Sequence, residues 1–231
     1  MYDEAMTAPT ARVQRAIQRY RKVYSRVHRP FLAKLCSRKC IVDQEGLCMG
    51  GKYVMYFSER GLMRRHAELL LSRSCDSDIL EVGYGLGIFA QETVGLGVKS
   101  HTIVEVHPVL AERARQWQAG LPHLERVRII HSSWQDSLPG LAQYDAIMYD
   151  AGSPPRYGDY DFRFFVEVVC GLKLKPRGRF SFWSYGKTLA SSRERLLHAH
   201  FRSVETHDFR MESVPASWGR EGSDFTIVVA K

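Results

Sequence analysis

The sequence lacks the features that mark membrane, secreted and repetitive proteins. None of its 231 residues falls in an apolar run near the ~20 residues that span a bilayer, and its N-terminus has no apolar signal stretch. There are no internal repeats and no low-complexity segments. The five cysteines are scattered and odd in number, which favours free thiols in a reducing compartment. We therefore expect a cytoplasmic protein with one α/β domain and no membrane partner.

Metal-binding patterns are also missing. Cys36, Cys40 and Cys48 are close in sequence, but no histidine follows at the spacing typical of zinc ligands. Free thiols are the simpler interpretation, and we predict no metal site.

Acidic residues are absent from residues 5–40, and the basic charge is concentrated there. Residues 1–52 contain eleven Lys and Arg against four Asp and Glu, most of the net charge of +8. Apolar side chains recur at helical spacing, at Val13, Ile17, Tyr20, Tyr24 and Val27. This spacing predicts an amphipathic basic helix, which Pro30 is expected to end. We predict that residues 1–52 form a helical arm that packs on the domain. A homodimer contact, a lid, a nucleic-acid or membrane contact and a transit peptide are the alternatives.

From residue 53 onward, short apolar strands alternate with helical stretches, which predicts a parallel sheet covered by helices. A turn is predicted at residues 175–178. We predict a doubly wound, Rossmann-like α/β domain over residues 53–231, with a mostly parallel seven-stranded sheet whose last strand is antiparallel. The strands are expected at 78–82, 102–105, 126–131, 145–149, 179–183, 203–209 and 225–230.

The first of these strands contains Glu81 and ends in the glycine-rich turn Gly83-Tyr-Gly-Leu-Gly87. Glycine has no Cβ, so such a turn lets the backbone approach a ligand closely. Dinucleotide folds use G-x-G-x-x-G, whereas the third glycine here comes one residue early. The next strand ends in Glu105, a carboxylate suited to ribose hydroxyls. The pattern resembles motif I of the class I S-adenosylmethionine (SAM) methyltransferases, and a NAD or FAD enzyme is the alternative.

Further polar residues follow the next two predicted strands. Ligands of an open α/β sheet bind beyond the carboxyl ends of its strands. Trp134, Gln135 and Asp136 lie where methyltransferases hold the adenine. The indole offers a flat apolar face to a purine, and the amide or carboxylate can bond the adenine amino group. Asp150 follows the fourth predicted strand.

Residues 46–231 resemble the guanidinoacetate N-methyltransferase family, including relatives that methylate free arginine in bacterial natural-product pathways. The stretch from Val54 to Met63 matches the family signature V-M-x-x-x-E-x-x-x-M without a gap. Segments at family spacing are Glu81-Val-Gly-Tyr-Gly, Val104-Glu105, Trp134-x-Asp136, Met148-Tyr149-Asp150 and Leu174-Lys175-Pro-x-Gly178. The family's Trp-Glu-Thr-Pro-Tyr-Met reads Ser58-Glu-Arg-Gly-Leu-Met63 here, and the loop at 151–161 also differs. The resemblance therefore covers the carboxylates better than the pocket that sizes the substrate.

The resemblance implies a SAM-dependent methyltransferase acting on the guanidino nitrogen of a small substrate, L-arginine or a derivative ahead of guanidinoacetate. Glu59 and Asp150 would hold the guanidinium as the catalytic pair, and the main chain at Tyr185 and Gly186 would meet the substrate's carboxylate. Two carboxylates suit this task because they orient a planar guanidinium and ease loss of its proton. The cofactor-binding residues that we assign are Met55, Met63, Glu81, Gly83, Tyr84, Gly85, Gly87, Glu105, Val106, Trp134, Gln135 and Asp136.

Other function classes stay open at this stage. The chain could methylate nitrogen or oxygen of another small metabolite. It could methylate a nucleic acid held by the basic arm, although we expect no nucleic-acid partner. A SAM-binding interaction protein without catalysis is the remaining alternative.

Overall fold

The computed structural model describes residues 10–72, 76–219 and 222–231. The N-terminal arm is helical, as predicted, and its residues before position 10 lie outside the described part. Its helical segments are α1 (Ala11–Val23), a π-helical turn (Tyr24–His28) and α2 (Arg29–Cys36). Tyr20 and Tyr24 are buried against the domain, so the arm packs on it.

The prediction that Pro30 ends this helix is wrong. The π-helical turn comes directly before it, and the Arg29 N–H donates to the Tyr24 carbonyl, five residues back. Pro30 therefore lies in the first turn of α2. A proline is tolerated in this position because the first N–H groups of a helical segment need no partner in that segment.

A small antiparallel sheet follows the arm. Its strands are β1 (Cys40–Val42), β2 (Gly46–Met49) and β3 (Lys52–Tyr56), in that order. The sequence analysis did not predict this sheet, and the boundary proposed after residue 52 lies inside β3.

The central sheet has seven strands in the order β6-β5-β4-β7-β8-β10-β9. Its strands are β4 (Asp78–Val82), β5 (Ser100–Glu105), β6 (Val127–His131), β7 (Tyr144–Tyr149), β8 (Leu174–Tyr185), β9 (Val204–Arg210) and β10 (Asp224–Ala230). All pairings are parallel except those of β10, which runs antiparallel to both neighbours. This confirms the predicted topology. The strand order reverses between β4 and β7, so the ligand site is expected beyond their carboxyl ends.

Helices cover both faces of this sheet. They are α3 (Arg60–Leu71), α4 (Ile88–Gly95), α5 (Pro108–Ala119), α6 (Trp134–Ser137), α7 (Gly158–Phe164), α8 (Gly171–Lys173) and α9 (Ser191–His200). One apolar core contains Phe162, Phe165 and Phe180 and continues into Tyr20 and Tyr24 of the arm. Among the residues that the structure describes, no helix combines the length and apolar character needed to cross a membrane.

The turn predicted at residues 175–178 lies within β8. Pairing between β7 and β8 jumps from Tyr144 with Leu174 to Ala146 with Arg179, so the intervening residues bulge out. Arg177 has a positive φ of 66°. A turn-forming sequence is compatible with a strand here because a bulge adds residues without reversing the chain.

Candidate active site

A cavity of about 370 Å³ lies beyond the carboxyl ends of β4, β5 and β7. It is bordered by most of the site residues expected from the sequence. These are Met55, Glu59, Met63, Glu81, Gly83, Tyr84, Gly85, Glu105, Val106, Trp134, Gln135, Asp150 and Tyr185. The cavity therefore joins the expected cofactor and acceptor residues in one space.

The glycine turn after β4 forms one wall. Gly83 has a φ of 97° and donates its N–H to the Val104 carbonyl at 2.9 Å. A Cβ at Gly83 would overlap the carbonyl oxygen of Asp150, and one at Gly85 would lie 2.6 Å from the Met55 sulfur. Both positions therefore need glycine for conformation and for space.

Glu105 ends β5 beside this turn. Its buried carboxylate accepts hydrogen bonds from the backbone N–H groups of Tyr84 at 2.9 Å and His107 at 2.7 Å. These bonds fix the carboxylate at the cavity wall. Each oxygen retains acceptor capacity for a ligand hydroxyl, because a carboxylate oxygen has two lone pairs.

Glu81 lies below the turn in a buried polar chain. A carboxylate oxygen is 2.8 Å from His101 Nε2, and His101 Nδ1 is 3.2 Å from the Thr93 hydroxyl. The Thr93 hydroxyl also lies within hydrogen-bond distance of the Phe89 and Ala90 carbonyls of α4. Burial raises the pKa of Glu81, and the bond to His101 opposes that rise.

The loop after β6 carries the expected adenine-binding residues. Trp134 and Gln135 border the cavity, and the indole packs edge-on against Phe165 with ring centroids 5.2 Å apart. Asp136 does not border it. Its carboxylate accepts from the Tyr24 hydroxyl of the arm at 2.5 Å.

Two further expected residues also lie outside the cavity. Gly87 directly precedes α4, and a Cβ there would overlap the Tyr84 ring. The Gly186 N–H donates to the Asp224 carbonyl at 2.9 Å, so it is engaged in the sheet. Tyr185 does border the cavity.

The arm contributes cavity residues that the sequence analysis did not identify: His28, Leu32 and Leu35. His28 Nε2 and the Tyr20 hydroxyl each lie 2.6 Å from the same carboxylate oxygen of Asp161, a buried residue of α7. The available signal was the four-residue spacing of Tyr20, Tyr24 and His28, which places the three side chains along one helix face.

Glu59 and Asp150 reach the cavity from opposite parts of the fold. Glu59 ends the short helical turn before α3 and is 2% exposed. Asp150 directly follows β7 and donates its N–H to the Val82 carbonyl at 3.0 Å. Two carboxylates from different elements therefore border the same cavity.

The sheet order, the antiparallel β10, the glycine turn and the acidic end of β5 define a class I SAM-dependent methyltransferase. The family model described as guanidinoacetate N-methyltransferase matches residues 41–215. The chain belongs to this family, and it is an enzyme that uses SAM.

The chain is also similar to two fungal proteins named protein arginine N-methyltransferase 2. The protein of Aspergillus oryzae is 38% identical over 150 residues, which cover 62% of this chain and 32% of that protein. The protein of Yarrowia lipolytica is 37% identical over 139 residues, which cover 57% of this chain and 28% of that protein. The match thus spans less than a third of either relative.

Solved methyltransferase-like structures share the fold. The N-methyltransferase NodS from Bradyrhizobium japonicum has a TM-score of 0.56 and 17% identity, covering 75% of this chain and 95% of that chain. Spermidine synthase from Thermotoga maritima has a TM-score of 0.60 and 16% identity, covering 84% of this chain and 68% of that chain. At these identities the likeness concerns the fold alone.

Proposed function

We propose that this enzyme methylates a guanidino nitrogen of a small substrate, with L-arginine or a derivative ahead of guanidinoacetate. The observation that carries the proposal is that Glu59 and Asp150 border the cavity that also contains the glycine turn and Glu105. The family description and the names of the fungal relatives both point to a guanidino or arginine acceptor.

The residues present fit SAM. Gly83 and Gly85 border the cavity, and because glycine has no Cβ the backbone there can approach the amino-acid end of the cofactor. The carboxylate of Glu105, held by two backbone amides, is suited to the ribose hydroxyls. Trp134 provides a flat surface for the adenine. When bound, SAM supplies a methyl group activated by its sulfonium charge.

The two carboxylates would orient the acceptor. A guanidinium is planar, carries its charge across three nitrogens and offers donors that match carboxylate oxygens in pairs. Glu59 and Asp150 can hold that plane so that one nitrogen faces the methyl group. Because the acceptor enters protonated, that nitrogen must lose a proton as its bond to carbon forms. A carboxylate hydrogen-bonded to it is placed to accept the proton.

The test is to replace each carboxylate with its amide. Glu59→Gln and Asp150→Asn keep the size of the side chain and remove its charge. A charge-assisted hydrogen bond contributes about 1.5–3 kcal/mol, so kcat/KM for L-arginine should fall at least ~10- to 100-fold. Calorimetry with S-adenosylhomocysteine should show unchanged cofactor binding.

Glu68→Gln is the matched control. Glu68 lies on α3, which follows Glu59, and pairs only with exposed arginines in the described structure. It should leave turnover unchanged. Normal methylation by both site variants would show that the carboxylates do not hold the acceptor.

An arginine side chain within a protein is the second candidate acceptor. The observation in its favour is the 38% identity to a protein named protein arginine N-methyltransferase 2. Methyl transfer from labelled SAM to free L-arginine and to arginine-containing peptides separates the two candidates. A separate measurement with an oligonucleotide tests whether the N-terminal arm contacts nucleic acid. If it does, oligonucleotide binding should weaken steeply as the salt concentration rises.

A further inference from the structure

A second cavity, of about 470 Å³, adjoins the first. The two share Asp150, Ala151, Pro154, Trp183 and Tyr185 in their walls. Asp150 therefore stands at the junction. A substrate whose guanidinium meets Asp150 has room to extend into the second cavity.

Arg193 of α9 borders this second cavity. Its guanidinium carbon lies 4.6 Å from the centre of the Phe162 ring, and its Nε donates to Asp159 at 3.0 Å. These contacts hold the guanidinium by one edge. Within the described residues, no hydrogen bond engages its two terminal nitrogens, so they remain available as a pair of donors.

Arg156 borders the same cavity from the loop after β7. The Tyr157 N–H donates to the Pro154 carbonyl at 3.0 Å, which closes a turn with Arg156 in its third position. Arg156 has a φ of 69°, a conformation that favours glycine. Non-glycine residues held in this conformation cluster at ligand sites. In the described part of the chain Arg156 has no ion-pair partner.

The joined cavities thus have two poles of opposite charge. Glu59 borders the first cavity and Asp150 lies where the two meet, whereas Arg156 and Arg193 border the second, with Arg193 also paired through Nε to Asp159. An arginine fork binds a carboxylate through two parallel N–H donors. A molecule with a guanidinium at one end and a carboxylate at the other matches this arrangement.

We propose that Arg156 and Arg193 bind the carboxylate of the methyl acceptor, which makes the substrate a free guanidino acid. This inference rests on the proposed guanidino methylation and adds its specificity. In an arginine within a polypeptide, the α-carboxyl group forms a peptide bond. It therefore carries no negative charge that Arg156 and Arg193 could bind. The sequence analysis expected the main chain at Tyr185 and Gly186 to meet this carboxylate, but the Gly186 N–H donates to the Asp224 carbonyl, whereas the two arginines offer charged donors.

The experiment compares L-arginine with agmatine, which has the same guanidinobutyl chain without the carboxylate. Wild-type enzyme should show a KM for L-arginine at least about tenfold below that for agmatine. Arg193→Gln and Arg156→Gln should each raise the KM for L-arginine about tenfold and leave agmatine kinetics and S-adenosylhomocysteine binding unchanged.

Two further variants guard the interpretation. Arg156→Gly relieves the backbone conformation while removing the guanidinium, so it should fold at least as stably and still lose the preference for L-arginine. Arg195→Gln, an exposed arginine of the same helix, should change nothing.

The outcomes distinguish this inference from the proposed function. If wild-type enzyme methylates L-arginine, agmatine and an end-blocked arginine peptide equally well, guanidino methylation stands and the carboxylate site is wrong. The same conclusion follows if the arginine variants affect L-arginine and agmatine alike. If the enzyme methylates no guanidino compound, both fail.

Discussion

The Tyr20 hydroxyl provides a measure of how strongly the arm is attached. It donates to the buried Asp161 carboxylate at 2.6 Å, and burial together with Asp161 raises the pKa of Tyr20, so the donor stays protonated. Tyr20→Phe removes this hydrogen bond, together with a longer one accepted from the Gln135 amide at 3.3 Å, and keeps the ring, which stacks on Phe164 with centroids 3.8 Å apart. Asp161 then has only His28 on that oxygen.

The expected loss follows from the chemistry of the pair. A hydrogen bond to a charged group contributes about 1.5–3 kcal/mol to the free energy of unfolding. We apply this range here because the Asp161 carboxylate stays buried and water cannot replace the lost donor. For a domain of 231 residues each kcal/mol lowers the melting temperature by about 2–4 °C. Tyr20→Phe should therefore lower it by about 3–12 °C.

Tyr53→Phe is the matched control. It removes a tyrosine hydroxyl that also donates to an aspartate, Asp43, at 2.5 Å, but this bond is exposed. Denaturant unfolding and differential scanning calorimetry on both variants separate the effect of burying the hydrogen bond from the effect of removing a tyrosine–aspartate bond as such. Equal stability losses for Tyr20→Phe and Tyr53→Phe would refute the reasoning, since burial of Asp161 would then add nothing.

Two other perturbations test the cofactor turn and the core. Gly85→Val should abolish S-adenosylhomocysteine binding in calorimetry, because it places a side chain against a methionine sulfur at a φ of 54°. His66 is fully buried, and burial lowers its pKa to about 3 from an ordinary 6.5. Below pH 6.5 the unfolded chain binds a proton that the folded chain excludes, so the free energy of unfolding should fall between pH 6.5 and 3. The slope from this one group approaches ~1.4 kcal/mol per pH unit, and His66→Gln should remove it.

Each of these two tests has a clear contrary result. Gly95→Ala, at the end of α4 with open space around it, should keep cofactor affinity; equal affinities for this variant and Gly85→Val would contradict the turn's role. For the core histidine, denaturation curves at several pH values decide. Parallel acid slopes in wild type and His66→Gln would mean that its proton uptake is not linked to unfolding.

The parts of the site that could be predicted are those indicated by short, local sequence patterns. The glycine turn, Glu105 and Asp150 each end a strand, and parallel strands bring their carboxyl ends to one edge. Strand periodicity and topology were therefore sufficient to place them together. Glu59 precedes the central sheet in sequence, and its expected position came from the family resemblance.

The parts that were missed depend on distant partners. His28 is fixed by Asp161, which lies 133 residues away, and no local pattern encodes that bond. The small sheet of β1, β2 and β3 consists of strands of three to five residues, which are too short to show a clear period. The helix end predicted at Pro30 was wrong because proline normally ends a regular α-helix, and no local sequence pattern indicates the π-helical turn before it.

That wider turn, Tyr24–His28, makes the length of the arm part of the binding site. Each residue of a helix turns the following side chains by about 100°. Losing one residue ahead of α2 would swing Leu32 and Leu35 away from the cavity while leaving Tyr20 on Asp161. Sequence drift by substitution is therefore tolerable on the arm's outer surface, whereas a single insertion or deletion within it would rebuild the cavity wall.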